Sequence, residues 1–256
     1  MTVTVLLIIA VLAYMVYLVV KRAESNTTIS SPNTTGTSYQ RAEEQVKLNL
    51  DFPKSITNEP HIIFLDLEST GMAANGCDIT ESKWWPRIVS IAWMVTDVSG
   101  NWIHEGYEII KQSDLIPIDS VRVHGITDEK AATQGVDIKD VLQRILDHSK
   151  GVKVFVAHNI DFDLPILQSE FYRNGFEKIP FKRVRKRCTM KKGTQYCQIE
   201  KPYGRGYKWP KLSELVSSCL YQGRDIKIGS LHNADTDMRL TAKCFWVLKS
   251  QGYIDL

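Results

Sequence analysis

The residues best suited to chemistry in this chain are acids. Asp66 and Glu68 stand two apart at the end of the apolar run His61-Ile62-Ile63-Phe64-Leu65-Asp66-Leu67-Glu68. In a strand that spacing puts both side chains on one face. Two carboxylates there repel unless a cation sits between them, and oxygen donors suit Mg²⁺ or Mn²⁺. A second group is Val156-Ala157-His158-Asn159-Ile160-Asp161-Phe162-Asp163, where an apolar run meets a polar turn. A helix cap accounts for Asp161 or Asp163 but not for both. The third is His232-Asn233-Ala234-Asp235-Thr236-Asp237. Asp235 suits the N-cap of a helix, which leaves Asp237 on the helix proper, facing the same cavity as His232. Singly, each group is an ordinary strand end, cap or surface histidine. Together, four carboxylates and one imidazole meet the needs of two-metal phosphodiester hydrolysis, in which the histidine takes a proton from water near neutral pH.

The elements that must position these groups are legible in the apolar pattern. Residues 61–68, 87–95, 102–110 and 152–157 read as strands, the third following the turn Ser99-Gly100-Asn101. Residues 138–148 carry Ile138, Val141, Leu142, Ile145 and Leu146 at helical spacing. Residues 164–173, with Pro165 in the first turn and Gly175 past the end, read as a second helix; 212–220 and 237–248 read as two more. Leading strands followed by alternating strands and helices predict an α/β domain with a mixed sheet and helices on its faces.

The motifs resemble those of the DEDDh 3′→5′ exonucleases, the family of the proofreading subunit of bacterial replicative polymerase, oligoribonuclease and the mammalian three-prime repair exonucleases. The resemblance runs from about residue 60 to 250. It rests on Asp66-Leu67-Glu68-Ser69-Thr70-Gly71-Met72, His158-Asn159-Ile160-Asp161-Phe162-Asp163 and His232 to Asp237, in that order, with Val123-His124-Gly125-Ile126-Thr127 between the first two. It implies a ribonuclease H-like α/β fold and two Mg²⁺ ions, replaceable by Mn²⁺, held by Asp66, Glu68, Asp163 and Asp237. His232 would be the general base, and Met72 would wedge against the terminal base. Thr70, His158 and Asn159 are the further substrate contacts expected within the motifs. Three features depart from the family: Ser69 replaces a usual Thr, the segment 75–86 is long, and Ser90 stands where many relatives carry an acid.

The net charge of +3 over 256 residues does not by itself point to a polyanion. The distribution does. Lys182, Arg183, Arg185, Lys186, Arg187, Lys191 and Lys192 fall in a stretch with no acid between Lys178 and Glu200. Arg205, Lys208 and Lys211 then alternate with Tyr203, Tyr207 and Trp209. Phosphates attract such cations and bases stack on such rings without sequence preference. Lys186 and Arg187 are therefore expected substrate contacts, and a nucleic-acid 3′ end, most simply of single-stranded DNA, is the expected partner. An RNA-trimming enzyme with the same site and a non-catalytic nucleic-acid-binding module are the alternatives. The five cysteines show no Cys-x-x-Cys spacing and read as ordinary thiols of a reducing compartment.

Residues 3–20 carry no charge and, as a helix, would span roughly 27 Å, close to the thickness of a bilayer core. Lys21 and Arg22 follow at once. This predicts a single-pass membrane anchor over residues 1–22 with the remainder cytoplasmic. A polar Ser/Thr/Asn-rich tract predicts a flexible linker over 23–59, and the exonuclease-like domain would occupy 60–256. The acceptor patterns at Asn26 and Asn33 would suit a lumenal side instead, but arise easily in such a tract.

Overall fold

The computed structural model describes residues 49–72, 76–224 and 232–256. The expected anchor and most of the expected linker lie outside the described residues. Among the described residues no helix is long and apolar enough to cross a membrane. Residues 50–55, expected as part of the linker, lie against the domain. The backbones of Pro53 and Ser55 hydrogen-bond to Trp102, Ser55 Oγ donates to Asp97 (2.6 Å), and Leu50 and Phe52 join the apolar core.

Five strands form one mixed sheet in the order β3-β2-β1-β4-β5. They are β1 (Ile62–Ser69), β2 (Ile88–Thr96), β3 (Trp102–Ile109), β4 (Val154–Ala157) and β5 (Arg185–Cys188). β1, β2 and β3 pair antiparallel, whereas β4 runs parallel to β1 and β5 parallel to β4. Seven helices are described: α1 (Ile118–His124), α2 (Asp128–Gln134), α3 (Ile138–His148), α4 (Ile160–Arg173), α5 (Thr189–Cys197), α6 (Leu212–Leu220) and α7 (Ala234–Ser250). The expected mixed sheet with helices on both faces is therefore present.

The period-2 alternation of β1 sorts the core into two halves. Ile63, Leu65 and Leu67 face α3 and α4, packing with Val141, Leu142, Ile145, Leu164, Leu167 and Phe171. Ile62 and Phe64 face α6 and α7, packing with Leu215, Val216, Met238 and Phe245. The Phe64 and Phe245 rings meet edge to face at 5.2 Å. Asp66 and Glu68 continue the file of Ile62 and Phe64, so both acids point towards the α7 side, as their spacing predicts.

Two helix starts differ from the sequence reading. α4 begins at Ile160, not Leu164, so Pro165 sits inside the helix and the Asp161 carbonyl lacks its usual i+4 donor. α7 is capped by Asn233, whose side chain accepts from Thr236 N (3.2 Å). Asp235, expected as the cap, instead binds Arg239 (3.0 Å), which also reaches Glu105 of β3 (2.8 Å).

A buried ionic staple secures the end of β1. Glu170 of α4 is 1% exposed and accepts from Arg87 Nε (2.9 Å), Ile88 N (3.3 Å) and Arg173 Nη1 (2.5 Å). Arg173 also donates to the carbonyls of Trp85 (2.9 Å) and Ser82. Arg87 in turn brackets Thr70, two residues beyond Glu68: Thr70 N donates to Arg87 O and Arg87 N to Thr70 Oγ1, both at 2.9 Å. Removing Glu170 leaves two guanidinium groups facing one another. We expect Glu170→Ala to cost about 3 kcal/mol, the low end for a broken buried pair because Arg87 is partly exposed. Urea denaturation should show a lower midpoint with the slope unchanged. An unshifted midpoint would contradict this reading of the staple.

Candidate active site

Asp66 and Glu68 lie where β1 outruns β4. β4 ends at Ala157, whereas β1 continues to Ser69. Beyond that point β1 has no strand on its β4 side, and the Asp163 carboxylate of α4 comes close to the Leu67 backbone there, which lowers its pKa against the effect of burial. Asp163, in the first turns of α4, is buried and turned inward. Asp161 is exposed and pairs with Lys191. The choice between these two acids, which spacing left open, is made by the helix face.

His232 and Asp237 arrive from the other side. His232 adopts the left-handed conformation (φ 66°), unusual for a residue with a side chain. Its backbone N–H donates to Asp237 Oδ2 (3.1 Å), so the turn before α7 closes on its own helix. Glu68, His232 and Asp237 each offer a ligand atom, and those atoms lie within 4.8 Å of one another. The other Asp237 oxygen, Oδ1, is buried without a hydrogen-bond partner. A buried carboxylate oxygen left this way is costly unless something positive meets it.

The electrostatics carry the same message. Asp66 is held well above the usual carboxylate range, by burial first and then by the charges of Asp163, Asp237 and Glu68. Burial likewise pushes Asp163 up to about 8, against the hydrogen bond from Leu67. It pushes Glu68 to about 7, with Asp237 adding to the effect. Asp237 rises to about 6, again through burial, eased by the His232 N–H and the His232 charge. Four carboxyls thus lie near one another, each with its pKa raised by burial, and Asp66 further raised by the charges of the other three. Their all-oxygen donor set and the unpartnered Asp237 oxygen fit hard divalent cations.

Tyr107 reaches this corner from β3 and was not singled out in the sequence. Burial raises its pKa, and the nearby Asp235 and Glu68 charges add to the rise. A tyrosine on an antiparallel strand carries no signal that would mark it. Ser90 is buried directly opposite Glu68 across the β1–β2 ladder, so the departure from an acid there avoids a further charge beside the cluster.

The expected substrate contacts divide. Met72 is 82% exposed just beyond the end of β1, and Asn159 is exposed and makes no cap bond with its side chain. The Thr70 hydroxyl accepts from Arg87 N and anchors β2. His158 is held within the domain by both ring nitrogens. Its Nε2 lies 3.1 Å from the Pro210 carbonyl and its Nδ1 3.1 Å from the Thr189 hydroxyl. A carbonyl can only accept, so Nε2 carries the proton and Nδ1 accepts. Burial pushes its pKa down to about 4, keeping the ring neutral. Lys186 and Arg187 lie on edge strand β5, two strands from the acids. Lys186 is exposed, whereas Arg187 is held by Asp255, through the carboxylate (2.9 Å) and the carbonyl (2.7 Å). Arg187 thus secures the C-terminal segment.

The exonuclease family RNase T matches residues 63–245, a span that contains all five converging side chains. The chain belongs to the RNase T exonuclease family. It is similar to the DNA polymerase III subunit epsilon of Pasteurella multocida, 31% identical over 109 residues, which cover 43% of this chain and 41% of that protein. It is similar to the 3′-5′ exonuclease DinG of Staphylococcus haemolyticus, 29% identical over 178 residues, covering 70% of this chain but 17% of that protein. Its fold matches that of E. coli exonuclease I in complex with a dT13 oligonucleotide, with a TM-score of 0.57 and 18% identity, over 74% of this chain and 41% of that one. The chain therefore spans less than half the length of each of these relatives. The ribonuclease H-like exonuclease fold expected from the motifs is the one observed.

Proposed function

We propose that this protein is a 3′→5′ exonuclease that removes nucleotides from single-stranded DNA ends as nucleoside 5′-monophosphates. The observation that carries this reading is the convergence of Asp66, Glu68, Asp163 and Asp237 beside His232, with one Asp237 oxygen buried and unpartnered. Those four acids would hold two Mg²⁺ ions, with Mn²⁺ able to substitute. When bound, the cations polarise a water and offset the charge on the phosphate. His232, exposed at the mouth and fixed through its backbone to Asp237, takes the proton from that water. The water oxygen bonds to the terminal phosphorus, the bond to the preceding 3′-oxygen breaks, and that oxygen takes a proton from solvent as the new 3′-hydroxyl. Met72 offers an exposed thioether to the terminal base, and Asn159 an amide to the phosphate. The similarity to proteins described as a polymerase epsilon subunit and a 3′-5′ exonuclease supports the direction of attack. The apolar residues 3–20 followed by Lys21 and Arg22 support a membrane-tethered enzyme with its domain on the cytoplasmic side.

The test compares a labelled DNA oligonucleotide with a free 3′ end, the same strand with a blocked 3′ end, and the matching RNA. Shortening from the free DNA end alone is the expected result. Degradation of the blocked strand, or preference for RNA, would overturn the assigned polarity or substrate. His232→Ala should lower kcat by roughly 10²- to 10⁴-fold with KM little changed, the effect of losing a positioned base. A full-rate variant would remove His232 from that role.

A further inference from the structure

Between α5 and α6 the chain forms a short hairpin. Lys208 N donates to Ile199 O (2.8 Å), Lys201 N donates to Gly206 O (3.1 Å), and Glu200 pairs antiparallel with Tyr207. The tip turns through Gly204 and Gly206, with φ of 85° and 90°, values that glycine adopts without strain. On that tip Tyr203 is 90% exposed, and just past the hairpin Trp209 is 61% exposed. Two large rings so open to water on one short hairpin are without a packing role. Lys201, Arg205 and Lys211 flank them along the chain, all exposed, and make no ion pair among the described residues. Lys208 differs: it binds both Glu214 oxygens (2.5 and 2.6 Å) and fixes the hairpin base to α6.

The hairpin is also attached to the catalytic motif. Pro210, immediately after Trp209, accepts a hydrogen bond from His158, which precedes Asn159 and the first turns of α4 that carry Asp163. The neutral, half-buried His158 ring thus fastens the foot of the hairpin to the turn that carries Asp163.

We propose that the hairpin grips the single-stranded segment leading into the site, with Tyr203 and Trp209 stacking on bases and Lys201, Arg205 and Lys211 meeting phosphates. The proposal rests on the exonuclease reading and deepens it. Rings stack on any base, so the grip confers affinity that depends on strand length and salt but not on sequence. The two arginines of β5 are engaged elsewhere, since Arg187 and Arg185 hold the C-terminal segment.

The experiment uses the full chain with Mn²⁺ and three substrates: a long oligothymidylate, a thymidine trinucleotide, and the 4-nitrophenyl ester of thymidine 5′-monophosphate. The ester offers a scissile phosphodiester with no upstream strand. The variant carrying Tyr203→Ala and Trp209→Ala should raise KM for the long strand roughly tenfold or more and leave turnover of the ester unchanged. Lys201→Glu with Arg205→Glu should weaken long-strand binding and flatten its salt dependence. Both pairs are exposed, so the ester rate doubles as a check that the site is intact. An unchanged KM for the long strand, or an equal loss on ester and strand, would overturn the grip. Wild-type protein inactive on all three substrates would instead remove the exonuclease reading, and the grip would fall with it.

Discussion

Asp66→Ala lowers metal-dependent degradation of a labelled strand by about 10³-fold or more, while making the metal-free protein more stable above neutral pH. The two effects have one origin. Asp66 is the acid on which the charges of Asp163, Asp237 and Glu68 all bear. Removing it deletes a ligand from the centre of the cluster, and metal-derived stabilisation of the transition state is worth several kcal/mol, with about 1.4 kcal/mol for each tenfold in rate. The same deletion removes the repulsion between Asp66 and the other three acids. Thermal denaturation in EDTA at pH 8 should therefore show a higher Tm for the variant than for the wild type. A merely structural acid would lose stability and activity together, and that pattern would count against the account.

The second large effect is a pH-dependent response to metal. In an unfolded chain these acids titrate near their ordinary values of 3.8 and 4.5, whereas in the fold Asp237 titrates at about 6, Glu68 at about 7 and Asp163 at about 8. A carboxyl whose pKa is raised by folding favours the folded state at low pH. That advantage is lost as pH climbs from the unfolded value through the folded one. Metal-free stability should accordingly fall between about pH 4 and pH 8. Divalent cations bind the deprotonated acids, so they restore what the rise in pH removes and expel protons as they bind. At a concentration of about 100 times Kd, binding contributes roughly 2.7 kcal/mol, or about 5–10 °C in Tm for a domain of this size. Mn²⁺ should produce that shift at pH 8 and little at pH 5. An equal shift at both values would mean that the cation binds outside the cluster.

Much of the site was legible because strands announce themselves. The alternation of Ile62, Phe64, Asp66 and Glu68 against Ile63, Leu65 and Leu67 fixes which side chains share a face, and the structure keeps that division. His232 and Asp237 were legible from the motif. Their geometry was not, since the left-handed turn at His232 and the Asn233 cap depend on how α7 meets the sheet. What pattern could not reach falls into two kinds. β5, Arg-Lys-Arg-Cys, has no apolar alternation and is a strand only because β4 offers an open edge. α1 and α2 are short, at Ile118–His124 and Asp128–Gln134, too brief for helical spacing to stand out. The second kind is function hidden in ordinary residues. His158 looked like a substrate contact because it sits in the motif, yet both ring nitrogens are engaged by Thr189 and Pro210, distant in sequence. Glu170 carries no mark in the sequence, yet it is the buried centre of the staple behind β1. Partners far apart along the chain leave no local trace.

The most direct measurement is anomalous diffraction from crystals of the full chain soaked in Mn²⁺. Two peaks about 4 Å apart, ligated by carboxylate oxygens of Asp66, Glu68, Asp163 and Asp237 with His232 beside them, are the predicted result. Peaks elsewhere on the surface, or a single ion that leaves Asp163 and Asp66 without metal, would contradict the two-cation site on which the proposed reaction depends.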